Sequence, residues 1–490
     1  MFQKLSDFLL INTSTKQRVL KNTFWLFSGQ IGSRVVKLWL IIYAARTLGA
    51  TGWGAFSYAL GIAAFFTIFV DFGVNAIITR EASRDPQVQK QYFATALGVK
   101  IVLFFVVSLL IILLAPLLIK DPTIGILIPL VALIVGFDSL RDFAAAMSRA
   151  WERMEIEAAM QVATNAFILI AGLAMLYVSS TPQSLAAGYA MGTGLGMLLA
   201  FYPCRGYFRG IREAFSMKLI RPIFASSLPF AISGLMGAIL LNTDTILIGW
   251  LLDLTEVGYY AAAQRIALLI YMIPGLISIA FFPAMAKAVS DPKKQRLILE
   301  KITGLQFLTA LPFTVGGIIL SGPIISLLYG ESYAPATLSF LIMNLTYLPV
   351  FLATVFTNGV FALGEEKKLF ISSLIGITGN FILDLVFIPR WGIAGSALAT
   401  TLNQIVIAAF LWHLLKKRTG FVVLPSLKKI IISTVLMTTV LLPLQYIGTP
   451  IYFMILIGGS VYIGSLLLLK EELVFETLKT FTDSQPESIL

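Results

Sequence analysis

Charge is what this sequence has least of. Only 12% of its 490 residues are Asp, Glu, Lys or Arg, against 58% hydrophobic, about half the charged share of a soluble domain. A water-soluble globule is excluded on that ground. Cysteine is almost absent: Cys204 stands alone, which leaves no internal disulfide and no thiol pair for a metal or redox centre. The single histidine, His413, lies beside Lys416 and Lys417 and reads as an interfacial aromatic rather than a ligand. Long polar connections are missing too. TLGATGW, SSTPQS and YIGTP leave no room for a folded outer domain or for the catalytic loop of a membrane polymerase or ligase, so no enzymatic activity is expected. The first 21 residues lack an apolar core before a small-residue cleavage site, so no cleavable signal peptide is expected. Met1, Phe2, Leu5, Phe8 and Leu9 instead suit one face of a short helix lying on a membrane surface.

What is there is apolar length. Runs such as VLFFVVSLLIILLAPLLI and ILIPLVALIVGF recur at the span of a bilayer. Splitting them at Pro, Gly and charge clusters predicts an all-α polytopic membrane protein with about fourteen transmembrane helices. Lys and Arg then alternate sharply between connections. One set is rich in them, from Arg80, Arg84 and Lys90 to Lys416, Lys417 and Arg418; the other holds Arg46, Lys120 and Arg390 alone. The positive-inside rule places the rich set, and both termini, in the cytoplasm of a plasma or inner membrane. It also accounts for the net charge of +11 without a nucleic-acid partner.

An internal repeat orders the spans. SGQIG at 28–32 matches SGLMG at 233–237, and Thr51-x-x-Gly54-x-Phe56 matches Thr255-x-x-Gly258-x-Tyr260. Ala187-Gly188-x-Ala190-x-x-Thr193 matches Ala394-Gly395-x-Ala397-x-x-Thr400. The near-constant offset implies duplication of six helices. Six is even, so the lobes insert in parallel with a substrate path between them. The expected plan is a cytoplasmic segment at 1–21, lobes at 22–210 and 211–418, two further helices at 419–470, and a cytoplasmic tail at 471–490.

Ionisable residues inside spans are functional candidates by default. Asp71 with Lys100, and Asp138 with Arg141 and Asp142, form candidate charge networks whose alternative role is mutual neutralisation between helices. Arg34 and Lys37 have no acid within the following turn, and with Arg265 they are candidates for cations facing a cavity and an anionic substrate. Asp244, Asp384 and Thr400 all fall ~10 Å below the outer surface at the helical rise, with Asn380 one turn deeper than Asp384 on the same face. Two carboxylates, an amide oxygen and a hydroxyl form a hard-oxygen set suited to an alkali cation or a proton; simple hydrogen bonds to neighbouring helices are the alternative. Pro274 and Gly275 mark a candidate hinge.

The opening stretch VLKNTFWLFSGQIGSRVVKLWLIIYAARTLGATGWGAFSYALGIAAFFTIFVDFGV, with its LG-x-x-x-x-G-x-F-x-x-A turn and following DFG, resembles the polysaccharide and oligosaccharide flippases of the multidrug/oligosaccharidyl-lipid/polysaccharide exporter superfamily. RWGIAGSALATTLNQ resembles the start of that family's twelfth helix. The similarity, of the O-antigen flippase type, runs over essentially the whole chain and does not name the sugar. It implies alternating access that carries a polyprenyl-diphosphate-linked glycan from the cytoplasmic to the outer leaflet, with membrane lipids meeting the last two helices. Polysaccharide polymerases and glycosyltransferases are the partners this setting implies. The related lipid II flippases have a sodium site whose pattern matches Asp244, Asn380, Asp384 and Thr400, with a backbone oxygen near Ser396. Sodium is thus the only coupling ion or cofactor the resemblance implies, with protons as the alternative. Arg265 matches the family's eighth-helix cavity arginine; cavity cations vary among subfamilies, Lys37 more than Arg34. The competing functions are a multidrug cation antiporter of the same superfamily, which would present an acidic cavity, and a scramblase or scaffold, which would need no ion site.

Overall fold

The structure, a computed structural model, describes residues 15–85, 87–118, 121–423 and 427–475. The surface helix expected on Met1, Phe2, Leu5, Phe8 and Leu9, Lys120 and most of the tail lie outside these residues. The chain forms α1 (Thr15–Asp71), α2 (Val74–Arg84), α3 (Gln89–Leu118), α4 (Pro122–Ala150), α5 (Met154–Val178), α6 (Pro182–Phe201), a short α7 (Ile211–Ala214) and α8 (Met217–Leu251). It continues through α9 (Leu254–Ile270), α10 (Met272–Lys287), α11 (Pro292–Ile319), α12 (Ser321–Tyr329), α13 (Ala336–Leu345), α14 (Tyr347–Ala362), α15 (Glu366–Thr419), α16 (Leu427–Tyr446) and α17 (Ile451–Leu468). Among the described residues, twelve helical stretches are long and apolar enough to cross a membrane.

Two of the twelve are too long to cross once. α1 has 57 residues and α15 has 54, or about 80 Å each at the helical rise, against about 30 Å of hydrocarbon. Each is broken by one glycine in a backbone conformation that L-residues avoid: Gly49 at φ 67° and Gly392 at φ 59°. Across Gly392 the halves fold back on each other. Asn403 donates to the Gly376 carbonyl, Thr400 to Asn380, and Gly395 abuts the Phe387 carbonyl; the paired numbers sum to nearly one value, as an antiparallel hairpin requires. Counting both breaks gives fourteen crossings.

The helix ends carry their own signals. Asp291 caps α11 by accepting from the Lys293 and Lys294 amides, and Thr181 caps α6 ahead of Pro182. Lys416, Lys417 and Arg418 fill the last turn of α15, where the helix dipole favours cations.

Contacts divide the chain into two compact units, one through Gly258 and one from Tyr259. In the first, a Cβ at Gly188, Gly192 or Gly196 of α6 would fall against α5 at Ala171, Ile168 and Thr164 in turn. A stripe of small residues thus lets two backbones approach, the way helices associate in lipid. The first half of α1 packs on α5, with Gly29 against Ala158 and Leu40 against Gly172. The half beyond Gly49 runs antiparallel to α8, pairing Tyr58 with Gly249, Gly61 with Thr245 and Ile68 with Gly234. An aromatic core of Phe93, Phe143, Phe201 and Tyr207 surrounds buried Cys204. In the second unit, Phe356, Leu411 and Leu415 form one core, and Phe307, Met437 and Tyr462 form another that ties α11 to α16 and α17. Tyr462 donates its hydroxyl proton to the Leu308 carbonyl at 2.7 Å.

Candidate functional site

The hairpin of α15 positions the first group. Because its halves run antiparallel around Gly392, position 380 faces position 400 across it. Asn380 Nδ2 donates to Asp384 Oδ2 at 2.7 Å, one turn along the same helix, and Thr400 Oγ1 donates to Asn380 Oδ1 at 3.3 Å from the returning helix. Asp384 is fully buried and Asn380 nearly so. Ser396 is buried one turn before Thr400, and its hydroxyl has no hydrogen-bond partner among the described residues. Asp244 is buried between Thr243 and Thr245 on α8, in the first unit. The structure therefore joins Asn380, Asp384 and Thr400.

These donors fit a small alkali cation chemically. A carboxylate, an amide oxygen and a hydroxyl are hard ligands, and burial makes neutralisation of the carboxylate worth more than it would be in water. Here Asn380 turns its NH2 to Asp384 and its oxygen to Thr400. Rotation of that amide would present oxygen to the carboxylate side, so the same three side chains suit a hydrogen-bonded state and a cation-bound one.

The second group lies in the first unit. Lys100, fully buried on α3, donates to Asp71 Oδ1 at 2.8 Å, Asn75 Oδ1 at 2.8 Å and the Ser139 carbonyl at 2.9 Å. An ammonium has three protons, and each has an acceptor here. The sequence pairs Asp71 with Lys100 but passes over Asn75, four residues on and across the break at Phe72 and Gly73 between α1 and α2. The Ser139 carbonyl carries no signal in sequence at all.

On α4, Arg141 bridges Asp138 at 2.6 Å and Asp142 at 2.8 Å. Lys37 holds its ammonium 5.3 Å from the centre of the Tyr189 ring on α6, a cation–π contact, and lies within electrostatic reach of Asp138. Tyr189 is a partner that sequence reasoning missed. Arg34, one turn before Lys37, is exposed. In the second unit Arg265 is half-buried on α9, within electrostatic reach of Tyr329, whose hydroxyl donates to the Ala262 carbonyl at 3.1 Å. Pro274 and Gly275 open α10 just after a break at Tyr271. The Pro274 carbonyl accepts from buried Gln306 Nε2 at 3.0 Å. A Cβ at Gly275 would meet no atom within 4 Å.

Buried carboxylates and cations lie inside the fourteen crossings of the described residues. The family model for "Polysaccharide biosynthesis protein" matches residues 19–289, more than half of the chain. The chain belongs to the polysaccharide biosynthesis protein family. Members with similar sequences include the capsular polysaccharide biosynthesis protein CapF of Staphylococcus aureus, 20% identical over 418 residues, 81% of this chain and 100% of that one. The lipid II flippase MurJ of Bacillus subtilis (strain 168) is 24% identical over 477 residues, 86% of each chain. In fold, this family member matches a structure of the lipid II flippase MurJ in an inward closed conformation, with a TM-score of 0.71, 18% identity, and coverage of 92% of this chain and 99% of that one. The polysaccharide biosynthesis protein described here is thus a flippase of the multidrug/oligosaccharidyl-lipid/polysaccharide superfamily.

Proposed function

We propose that this flippase moves a lipid-diphosphate-linked oligosaccharide from the cytoplasmic to the outer leaflet during cell-surface polysaccharide synthesis, by alternating access coupled to a sodium or proton gradient. The observation that carries the coupling is Asp384: a fully buried carboxylate inside a membrane hairpin, held by Asn380 at 2.7 Å, with Thr400 closing the set. Such a group is costly unless its charge is answered, and intramembrane acids mark ion and proton paths. A sodium ion would be held by the hard oxygens of Asp384, Asn380 and Thr400, with Asp244 and Ser396 as the further ligands suggested by resemblance.

The substrate class follows from chemistry and kinship. Arg34, Lys37 and Arg265 are cations within the spans, and a diphosphate is the anion that a planar guanidinium grips best. Lobes at 22–210 and 211–418 would rock about the substrate path, with Pro274–Gly275 as a flexing point, both termini in the cytoplasm and lipid tails near 419–470. Polymerases and glycosyltransferases would act before and after it.

The test is flipping of a fluorescent lipid-diphosphate disaccharide in proteoliposomes, read by quenching of the outer leaflet while sodium and pH are varied. The rate should rise with a sodium or proton gradient and lose that dependence in Asp384→Asn. Flipping indifferent to both gradients would remove the ion site. Export of amphipathic cations without lipid flipping would favour the antiporter.

A further inference from the structure

The transport reading leaves the charges of α4 without a task. Arg141 Nη1 meets Asp138 Oδ1 at 2.6 Å; Nη2 and Nε meet Asp142 Oδ1 at 2.8 and 3.1 Å. The guanidinium uses one oxygen of each acid and leaves the other. Lys37 of α1 sits over Tyr189 of α6 at 5.3 Å and within electrostatic reach of Asp138, as Tyr189 is of Arg141. One wall of the first unit thus combines groups from three helices.

Two properties set this wall apart from a phosphate site. Its charges cancel, Asp138, Asp142 and the nearby Glu157 against Lys37, Arg141 and Arg149, so it has little net field to draw a diphosphate. It is also open: Asp138 keeps 31% and Asp142 50% of the side chain accessible, with Arg141 at 18%. Asp142 stands eight residues before the end of α4 at Ala150, about 12 Å into the helix. A carboxylate that is accessible at that depth is expected to face water rather than lipid. Tyr189 is covered by Lys37 and buried, which makes it a support for the ammonium and no free stacking platform.

A ligand matched to this wall has many hydroxyls, little charge, and donors and acceptors side by side. We infer that Asp138, Asp142 and Lys37 form a saccharide subsite: the free carboxylate oxygens accept hydrogen bonds from sugar hydroxyls, and the Lys37 ammonium donates to sugar oxygens. Arg141 fixes both acids in place and is a positioning residue. This rests on the lipid-linked glycan reading and deepens it: the two acids of α4 hold the sugar, and Lys37 stands where the sugar joins the diphosphate met by the cations.

The experiment compares two probes on purified protein in nanodiscs: a fluorescent polyprenyl diphosphate carrying a disaccharide, and the same lipid diphosphate without sugar. Wild type should bind the sugar-bearing probe about 10-fold more tightly, as a single hydrogen bond to a charged group allows. Asp142→Ala should remove most of that advantage, read as the ratio of the two affinities, because any gain in diphosphate attraction from the lost negative charge is common to both probes. Asp142→Asn, which keeps an acceptor oxygen, should retain part of it and carries the test if the alanine variant melts early. Equal affinity of wild type for both probes, or equal loss of both in Asp142→Ala, overturns the subsite. Wild type that binds neither probe overturns the lipid-linked glycan reading itself.

Discussion

Thr51 and Thr255 meet hydroxyl to hydroxyl at 2.9 Å, 204 residues apart in sequence and equivalent in the repeat. Their neighbours meet reciprocally. A Cβ at Gly54 would strike the Leu254 carbonyl, and one at Gly258 would strike the Ala50 carbonyl. Each copy of the motif Thr-x-x-Gly therefore supplies the small residue that admits the other's backbone, as in a contact about a twofold axis.

The glycines here are fixed by space. Gly54→Val or Gly258→Val drives two methyls into a carbonyl that cannot yield, and overpacking of this kind costs ~1–3 kcal/mol or more. Either variant should melt several degrees below wild type in detergent, while Thr51→Ser, which keeps the hydroxyl, should not. An unchanged midpoint for Gly54→Val would mean that the two turns separate at no expense.

The threonine pair also offers a direct reading of motion. With Cys204→Ser as background, Thr51→Cys and Thr255→Cys should form a disulfide under mild oxidant, detectable as a linked peptide. If alternating access opens this contact, the bridged protein stops flipping lipid and resumes on reduction. Undiminished flipping with the bridge intact would show that the contact stays shut throughout the cycle.

Lys100 has three acceptors and no exposure, so its removal leaves Asp71 facing a void. Lys100→Met should destabilise by ~3–5 kcal/mol, the usual result of breaking one half of a buried ion pair. Lys100→Met with Asp71→Asn should recover a large part, because the orphaned charge is gone. Thermal midpoints of the two singles and the double give the coupling; strict additivity would deny that the pair acts as a unit.

Asn380 is the amide that faces Asp384 in one orientation and, once rotated, offers oxygen to a cation. Asn380→Leu removes both, leaving a buried acid without its donor, a loss of ~1–3 kcal/mol. The concentration of sodium, or of protons, that half-saturates flipping should rise at least about tenfold, the equivalent of 1.4 kcal/mol. Unaltered ion dependence would place the coupling group elsewhere.

How much of this was legible in sequence depends on what each feature obeys. Apolar length and the alternation of Lys and Arg are local, and they gave fourteen crossings. Depth reckoned from the helical rise suggested the Asn380–Asp384–Thr400 set, but it put Thr400 level with Asp384, whereas the hairpin at Gly392 sets Thr400 opposite Asn380, one turn away. Asn75 was outside that arithmetic, because the left-handed break at Phe72 and Gly73 separates it from Asp71. Tyr189 and the Ser139 carbonyl were not legible, since which helix faces which is decided by packing. The repeated Gly188 and Gly395 motifs were visible only as evidence of duplication; each glycine in fact abuts a carbonyl of the preceding helix, Ala171 and Phe387.

Glu365 closes the open end of the α15 hairpin. It precedes the first helix and contacts Lys368 at 3.0 Å and Arg418, in the last turn of the second, at 2.6 Å. The Lys368 hydrogen bond, with Arg418 beside it, holds this carboxyl below its ordinary value. A depressed folded value means that the ionised form is favoured by folding. The stabilisation is therefore complete above the unfolded value of about 4.3 and fades as pH falls through the lower folded one. Glu365→Gln should thus melt slightly below wild type at neutral pH and alongside it in strong acid. The gap should shrink in high salt, because the clamp is solvent-exposed and screened. A gap that persists unchanged at acid pH would assign the effect to packing of the longer hairpin rather than to the charge that ties its ends.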